Sequence, residues 1–485
     1  MCKQKLRIVS LLHCLPVLAY TVVRTVRWCN YEKSDYKGGL CNVCDESKEY
    51  FATIRYASKG NQNGQYEEKR GVRLFRLRRK SKTKCCGITT ARGDYRQRNE
   101  VVAMIYFDNA ATTYPKPRAV LNALQNGAVR YGANPGRAGH KMAFATAQQV
   151  YHAREIIADF FDLPQCENVI FTKNCTEALN TAIKGLAKRG GHFVCSDLEH
   201  NAVVRPLEAL RLQGICTWTA AAVGETDEQT VENFQKCLRP NTIAIVCTGA
   251  SNVFGKTLPL RALASLAHRH GILLVADTAQ SAGILPISMQ KDGIDFLCAP
   301  GHKGLYGAMG TGVLLCNCET VLNPLTEGGT GVLSAQLTQP ETYPERLESG
   351  TLNVPGILSV SAGVRFVKER GIDRIYNKEM RYIQRLEAAL REMKGVELYT
   401  DISERPTGYV PLLSFNVQGL HSEEVAARLS EENIAVRAGL HCAGLAHKRY
   451  KTLDRGTIRI CPSVFTTEKD VNSLLNSIIK IAKSA

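Results

Sequence analysis

From residue 104 onward, short β-branched apolar runs alternate with stretches whose apolar residues recur every three or four positions. The run VIFT at 169–172 precedes TEALNTAIKGLA, HFVCS at 192–196 precedes NAVVRPLEALRLQ, and TIAIVCTGA at 242–250 precedes PLRALASLAHRHG. Two more strand-like runs follow, ILLVADTAQ at 272–280 and DFLCAP at 295–300. Strands and helices alternating at this spacing predict an α/β fold with a mixed, mostly parallel sheet and helices on both faces. In such a sheet the loops that carry chemistry gather at the carboxyl ends of the strands. From about residue 360 the pattern changes to a helix (RYIQRLEAALREMK), a strand (YVPLLSFNV), a second helix (SEEVAARLSEEN) and short strands. That change predicts a smaller C-terminal α+β domain.

Composition alters this picture little: 485 residues, 44% hydrophobic and 22% charged, suit a globular chain of two or three domains. Charge is more informative. The formal net charge is +17, yet most of the excess falls before residue 104 and the rest of the chain is near neutral, which excludes a polyanion binder as the body of the protein. No clean apolar run is long enough for a membrane span. The cysteines beyond residue 103 are scattered, several inside strand-like runs, as are Cys195 and Cys247. They read as free thiols of a reducing cytoplasm.

Residues 1–103 resist a folded reading. The apolar stretch IVSLLHCLPVLAYTVV is broken by His13 and Pro16 and lacks a small-residue cleavage site, so it is a poor signal peptide. CNVC at 41–44 and the Cys85–Cys86 pair have no partner at zinc-finger spacing, and RLFRLRRKSKTK is the one segment with the charge of a nucleic-acid arm. Patterned sequence starts abruptly at Met104. The expectation is therefore a basic, cysteine-rich leader that is disordered or an artefact of a start placed too early.

The candidate chemistry begins at CAPGHKGLYGAMGTGVLL, residues 298–315, where Lys303 sits among glycines after a strand-like run. Glycines there read as room for a bulky planar ligand against the backbone. A lysine in a crowded, partly desolvated place can lose its proton and form a Schiff base, although a lone lysine in a loop is ordinarily a solvated one. Asp277, ending ILLVAD, suits a pyridinium nitrogen, or else a helix N-cap. FTKNCTEALN puts Cys175 and Thr176 at a helix start, where N–H groups and a hydroxyl can hold phosphate. His200 in SDLEHNAVVRP follows a strand and could stack on a flat ring or be a plain loop histidine. Cys442 in VRAGLHCAGLAHK is flanked by Arg437 and Lys448, a setting that favours the thiolate; the plain alternative is a buried, inert thiol.

In this order, Thr176, His200, Asn252, Asp277, Gln280 and the His302–Lys303 pair resemble the pyridoxal-phosphate enzymes of aminotransferase class V, and among them the cysteine desulfurase family. FDNAATTYPKP, NPGRAGH, TEALN, SNVFG, ADTAQSAG, GHKGLYG, ESGTLNVPGI, RAGLHCA and GTIRICPSVFTTEKDV carry the resemblance, from Tyr106 to about Val471. It implies the fold type I of pyridoxal-phosphate transferases: a segment 104–120 packing on the small domain, a large cofactor-binding domain 121–360, and a small domain 361–485 carrying the nucleophilic cysteine. Lys303 would form the Schiff base with pyridoxal 5'-phosphate, Asp277 would pair with the pyridine nitrogen, and Gln280 would bond the ring hydroxyl. His200 would stack on the ring and assist proton transfer. Thr176, His302 and the Cys175 backbone would hold the phosphate, with Thr351 reaching it from the other subunit of a homodimer. Asn252 would touch cofactor and substrate, and Arg459, Arg437 and Ala110 the substrate alone.

The RxGxHCA arrangement resembles the branch whose nucleophile lies on a short, ordered segment, making Cys442 the nucleophile. Two positions depart from the family pattern: Gly301 stands where many relatives have serine, and Cys175 where threonine or a small residue is common. The implied reaction converts L-cysteine to L-alanine and leaves a persulfide for a sulfur-acceptor protein or small thiol, as in iron–sulfur cluster assembly. It implies a cytoplasmic enzyme with no metal, nucleic acid or membrane involved. The rivals are a selenocysteine lyase or another class V enzyme, though a plain aminotransferase has little use for Cys442. Retention of Lys303, Asp277, His200, Cys442 and Arg459 together argues against a non-catalytic scaffold.

Overall fold

The computed structural model describes residues 51–54, 73–76, 104–136, 139–403 and 406–484. The chain divides into two units, Met1–Gln97 and Arg98–Ala485. In the first, β1 (Phe51–Ile54) and β2 (Arg73–Arg76) pair antiparallel, Phe51 opposite Arg76. The leader's apolar stretch, its CNVC and Cys85–Cys86 pairs and the basic run beyond Arg76 lie outside the described residues.

The second unit opens with β3 (Ile105–Tyr106) and continues through the strands of a large sheet: β4 (Val169–Thr172), β5 (Gly191–Ser196), β6 (Cys216–Ala221), β7 (Thr242–Thr248), β8 (Leu273–Asp277), β9 (Phe296–Pro300) and β10 (Gly312–Cys316). Their spatial order is β4-β10-β9-β8-β7-β5-β6. β6, β5, β7, β8 and β9 run parallel, and β10 is antiparallel to both of its neighbours. Every residue of β5, β7, β9 and β10 is buried. That explains why they show no alternation of apolar and polar positions: a sheet covered on both faces has no polar side to encode. One apolar cluster includes Val194, Ile245, Leu274 and Leu297, and a second includes Phe193, Val246, Val275 and Cys298. Neighbouring residues of a strand thus enter different cores, as the pleat requires.

A small sheet follows: β11 (Val396–Leu398), β12 (Leu413–Val417), β14 (Arg437–Gly439) and β15 (Thr457–Ile460) in the order β11-β12-β15-β14, all antiparallel. Between β12 and β14, β13 (Ile434–Ala435) leaves to pair in parallel with β3, and Asp108 bridges to Cys461. The N-terminal segment is thereby stitched to the small sheet. Helices Ile372–Arg391 and Glu468–Lys483 contribute Ile383, Leu386, Leu474 and Ile478 to the core of this region. Residues 360 and 361 fall inside helix Val354–Arg370, which runs from the large region into the small one. Among the described residues no helix is long and apolar enough to cross a membrane.

Candidate active site

The carboxyl ends of the parallel strands carry the sequence-selected residues. His200 follows β5, Asn252 follows β7, Asp277 ends β8, and His302 and Lys303 follow β9. Helix Cys175–Leu186 begins just after β4. Asn174 caps it by accepting the N–H of Glu177 at 2.9 Å, and the N–H groups of its first turn have no acceptor within the helix.

Burial first, and then Arg459, press the Lys303 amine below its ordinary range, while Asp277 opposes them. A lysine so placed is ready to act as a neutral amine. Several bonds that hold the turn converge on one main-chain oxygen, and the Thr113 hydroxyl also donates to the Lys303 carbonyl at 3.1 Å. The His302 carbonyl accepts the N–H of Thr113 (3.1 Å), the hydroxyls of Thr112 (3.1 Å) and Thr113 (3.2 Å), and the ammonium of Lys116 (2.8 Å). Burial brings Lys116 itself down to about 8. His302 is held at about 4 by burial and the two lysines, and its Nδ1 is buried without a partner.

His200 caps helix Asn201–Leu212: its Nδ1 accepts the N–H of Ala202 at 2.9 Å, which puts the ring proton of the neutral form on Nε2. Burial, the largest influence, lowers its pKa; Asp277 opposes that. Asp277 is 2% exposed, and its Oδ1 accepts the N–H of Ala279 at 2.9 Å. Gln280 donates to the carbonyl of Ala110 at 3.1 Å, tying the loop after β8 to the N-terminal segment. A cleft beside Lys303 is lined by Ala110, Gln280, Tyr306, Glu379 and Cys461.

Cys442 lies on a turn between β14 and helix Gly444–Arg449 in which His441 and Cys442 both have positive φ, 47° and 57°. Consecutive residues in this region are costly unless the surroundings hold them. Here they are held. Asn252 Nδ2 donates to the His441 carbonyl at 2.7 Å, the N–H of Asn201 donates to the Cys442 carbonyl at 2.7 Å, and His441 Nε2 donates to the Thr457 carbonyl at 3.0 Å. Asn252 itself and Asn201, the neighbour of His200, thus position the cysteine turn. Cys442 is exposed, whereas every other cysteine of the described residues is buried or half-buried.

Arg459 on β15 is buried, donating through Nη1 to the Asn252 carbonyl (2.7 Å) and through Nη2 to Asp108 Oδ1 (3.1 Å), while its Nε has no partner. Arg437, exposed, reaches the other oxygen of Asp108 at 3.5 Å. Asp108 therefore bridges the two arginines. Sequence reasoning missed it, together with Thr112, Thr113 and Lys116; all four belong to DNAATTYPK, a motif quoted for its resemblance but not read for its chemistry. Thr351 stands apart. It is exposed on the loop before helix Val354–Arg370, and no hydrogen bond of the described residues joins it to the others.

The glycines near Lys303 correct an expectation. Gly301 and Gly304 do not keep space open beside the backbone: a Cβ on Gly301 would lie 2.2 Å from Thr311 Oγ1, and one on Gly304 2.2 Å from the Ala282 carbonyl oxygen. They let protein pack against protein. At Gly301, where many relatives have serine, the Thr311 side chain fills the volume such a residue would need.

Residues 105–474 match the family model described as aminotransferase class-V. The chain is similar to a protein of Methanothermobacter thermautotrophicus named "Probable cysteine desulfurase", 32% identical over 78% of this chain and 94% of that one. It is also similar to the apo structure of a cysteine desulfurase from Thermococcus onnurineus NA1, with TM-score 0.73 and 30% identity over 79% of this chain and 95% of that one. A cysteine desulfurase of Escherichia coli, solved as its S-sulfonic acid, gives TM-score 0.70 and 26% identity over 79% and 96%.

Proposed function

The chain belongs to the aminotransferase class-V family and is a pyridoxal-phosphate-dependent cysteine desulfurase, and on that premise we propose that Cys442 is its nucleophile. The observation that carries the proposal is the Cys442 turn: an exposed thiol on strained backbone, tethered to the same strand ends that bear His200 and Asn252.

The residues fit the cofactor. The free N–H groups at Cys175 and Thr176 and the unpartnered Nδ1 of His302 suit its phosphate. Asp277, nearly sealed from solvent, suits the pyridine nitrogen, and Lys303 supplies the amine that would hold the aldehyde carbon. Bound there, pyridoxal phosphate supplies an electron sink that loosens the Cα–H and Cβ–S bonds of a bound amino acid.

The chain's own residues do the rest. Arg459 and Arg437, with their guanidinium groups aligned by Asp108, would bind the carboxylate of L-cysteine. Lys303, as a neutral amine, would take the α-proton. Cys442 as thiolate would attack the substrate sulfur: an S–S bond forms as Cβ–S breaks, the bonding pair stays on carbon, and carbon gains a proton. The products balance as L-alanine and a Cys442 persulfide, whose outer sulfur then passes to a thiol acceptor. A second copy would cover the exposed apolar side chains of Val129, Met142 and Phe144 on helices Arg118–Val129 and Lys141–Phe160, and its Thr351 would reach the phosphate.

The test incubates the full chain with L-cysteine and a reductant and follows alanine and sulfide beside Cys442→Ala. Equal release of both by wild type, lost in the variant, is expected. Undiminished sulfide from the variant would remove Cys442 from the role. Cofactor-loaded wild type that releases selenide from selenocysteine but nothing from cysteine would establish the selenocysteine reading instead.

A further inference from the structure

Cys175 opens helix Cys175–Leu186 with its side chain buried, and its Sγ lies 3.5 Å from Oδ1 of Asp277, the last residue of β8. Family resemblance gave this residue only a backbone role. We propose that the Cys175 thiol is a positioning group for Asp277, an S–H donor that fixes one carboxylate oxygen so that the other is left for the pyridine nitrogen.

The direction of the bond follows from the chemistry. Burial, and after it the charge of Asp277, raise the Cys175 thiol well above its ordinary range, so at neutral pH it keeps its proton. The carboxylate opposite it can only accept. The main chain at Asp277 is held independently: its carbonyl accepts the N–H of Gly249 at 2.8 Å and the hydroxyl of Thr248 at 3.4 Å. What remains is rotation of the carboxylate. The two donors on Oδ1, Ala279 N–H and Cys175 S–H, lie to one side of it and set that rotation. Among the described residues no hydrogen bond goes to Oδ2.

A thiol is an unusual donor inside an enzyme that transfers sulfur to thiols. The burial that makes Cys175 a donor also protects it, because the thiolate is the reactive form. One cysteine is therefore exposed and carries sulfur, while another is sealed and aims a carboxylate. The inference rests on the reading of Asp277 as the partner of the pyridine nitrogen.

The test compares full-length wild type, Cys175→Ser and Cys175→Ala, measuring the dissociation constant of pyridoxal phosphate from the visible absorbance of the bound form. Serine keeps a donor and is expected to stay within about twofold of wild type. Alanine loses it and should bind roughly three- to tenfold more weakly, the scale of a weak hydrogen bond to a charged group. Alanine equal to wild type would overturn the proposal, and so would serine as weak as alanine, which would make Cys175 a packing residue. Peptide mapping after L-cysteine treatment without reductant should place the persulfide on Cys442; a persulfide on Cys175 would overturn its role as a protonated donor. Failure of wild type itself to bind the cofactor would instead refute the underlying reading of Asp277 and Lys303.

Discussion

Substituting alanine for Gly304 tests what the glycines around Lys303 do. Its φ is not in the left-handed region, so backbone strain does not enter; the new Cβ would lie 2.2 Å from the Ala282 carbonyl oxygen and 3.2 Å from Ile284 Cγ1. Ordinary contact begins near 3.4 Å, so the backbones must separate by about an ångström, and main chain cannot rotate away as a side chain can. Overpacking of this kind costs about 1–3 kcal/mol. The functional effect should be larger, because the residue displaced beside Gly304 is Lys303, and an error of ~1 Å in a reacting group can cost ~100-fold in rate. Gly310→Ala in the same segment is the comparison. There φ is +78° and nothing lies within 4 Å of the new Cβ, so the variant should lose about 1–2 kcal/mol from the left-handed backbone alone and keep its catalytic rate. The assay pairs thermal denaturation of the full chain with alanine release from L-cysteine. Gly304→Ala with wild-type turnover would refute the packing argument. So would Gly310→Ala losing as much activity as Gly304→Ala, since the glycines would then serve mobility or ligand space rather than close packing.

Arg154 and Glu348, each with a side chain 6% exposed, meet at 2.5 Å, and Glu348 Oε1 also accepts the N–H of Phe171 at 2.6 Å. Arg154→Met should lose about 3–5 kcal/mol, and a second change of Glu348 to Met should recover much of it; urea denaturation of both variants showing no recovery would sink that account. Glu199 is fully buried, and burial lifts its carboxyl from 4.5 to about 8. The folded chain then holds a proton that the unfolded chain has released between those values, so stability from this group is complete below pH 4.5 and falls as pH rises to about 8, by at most ~1.4 kcal/mol per pH unit. Glu199→Gln keeps an acceptor for the N–H groups of Ser196 and Thr248 and should flatten the fall of the thermal midpoint between pH 5 and 8; an unchanged slope would mean the carboxyl is already ionised in the fold.

What could be read from sequence divides along a physical line. β5, β7 and β9 were legible because both faces of the sheet are covered and their central positions are apolar. β6 was missed: it is an edge strand, and between its buried ends Thr217 is exposed and Trp218, Thr219 and Ala220 are half-buried, so no clean run marks it. At the site, the residues whose side chains announce a chemistry, Lys303, Asp277, His200 and Cys442, stood out. Their tethers did not, because the atoms being held are main-chain carbonyls of His302, His441 and Cys442, which have no signature in a sequence. The donors come from afar, Thr112 across 190 positions and Asn252 across 189. The same distance explains why the neighbours of Cys442 in sequence do not reveal what holds its turn. Its exposure depends on positive φ at two adjacent non-glycine residues, and that backbone persists because the Asn201 N–H and the Asn252 side chain bond its carbonyls from the segments that follow β5 and β7. The Cys442 turn is thus specified by the strand ends as much as by its own loop, and loosening the Asn252 side-chain contact should disturb Cys442 without touching its sulfur.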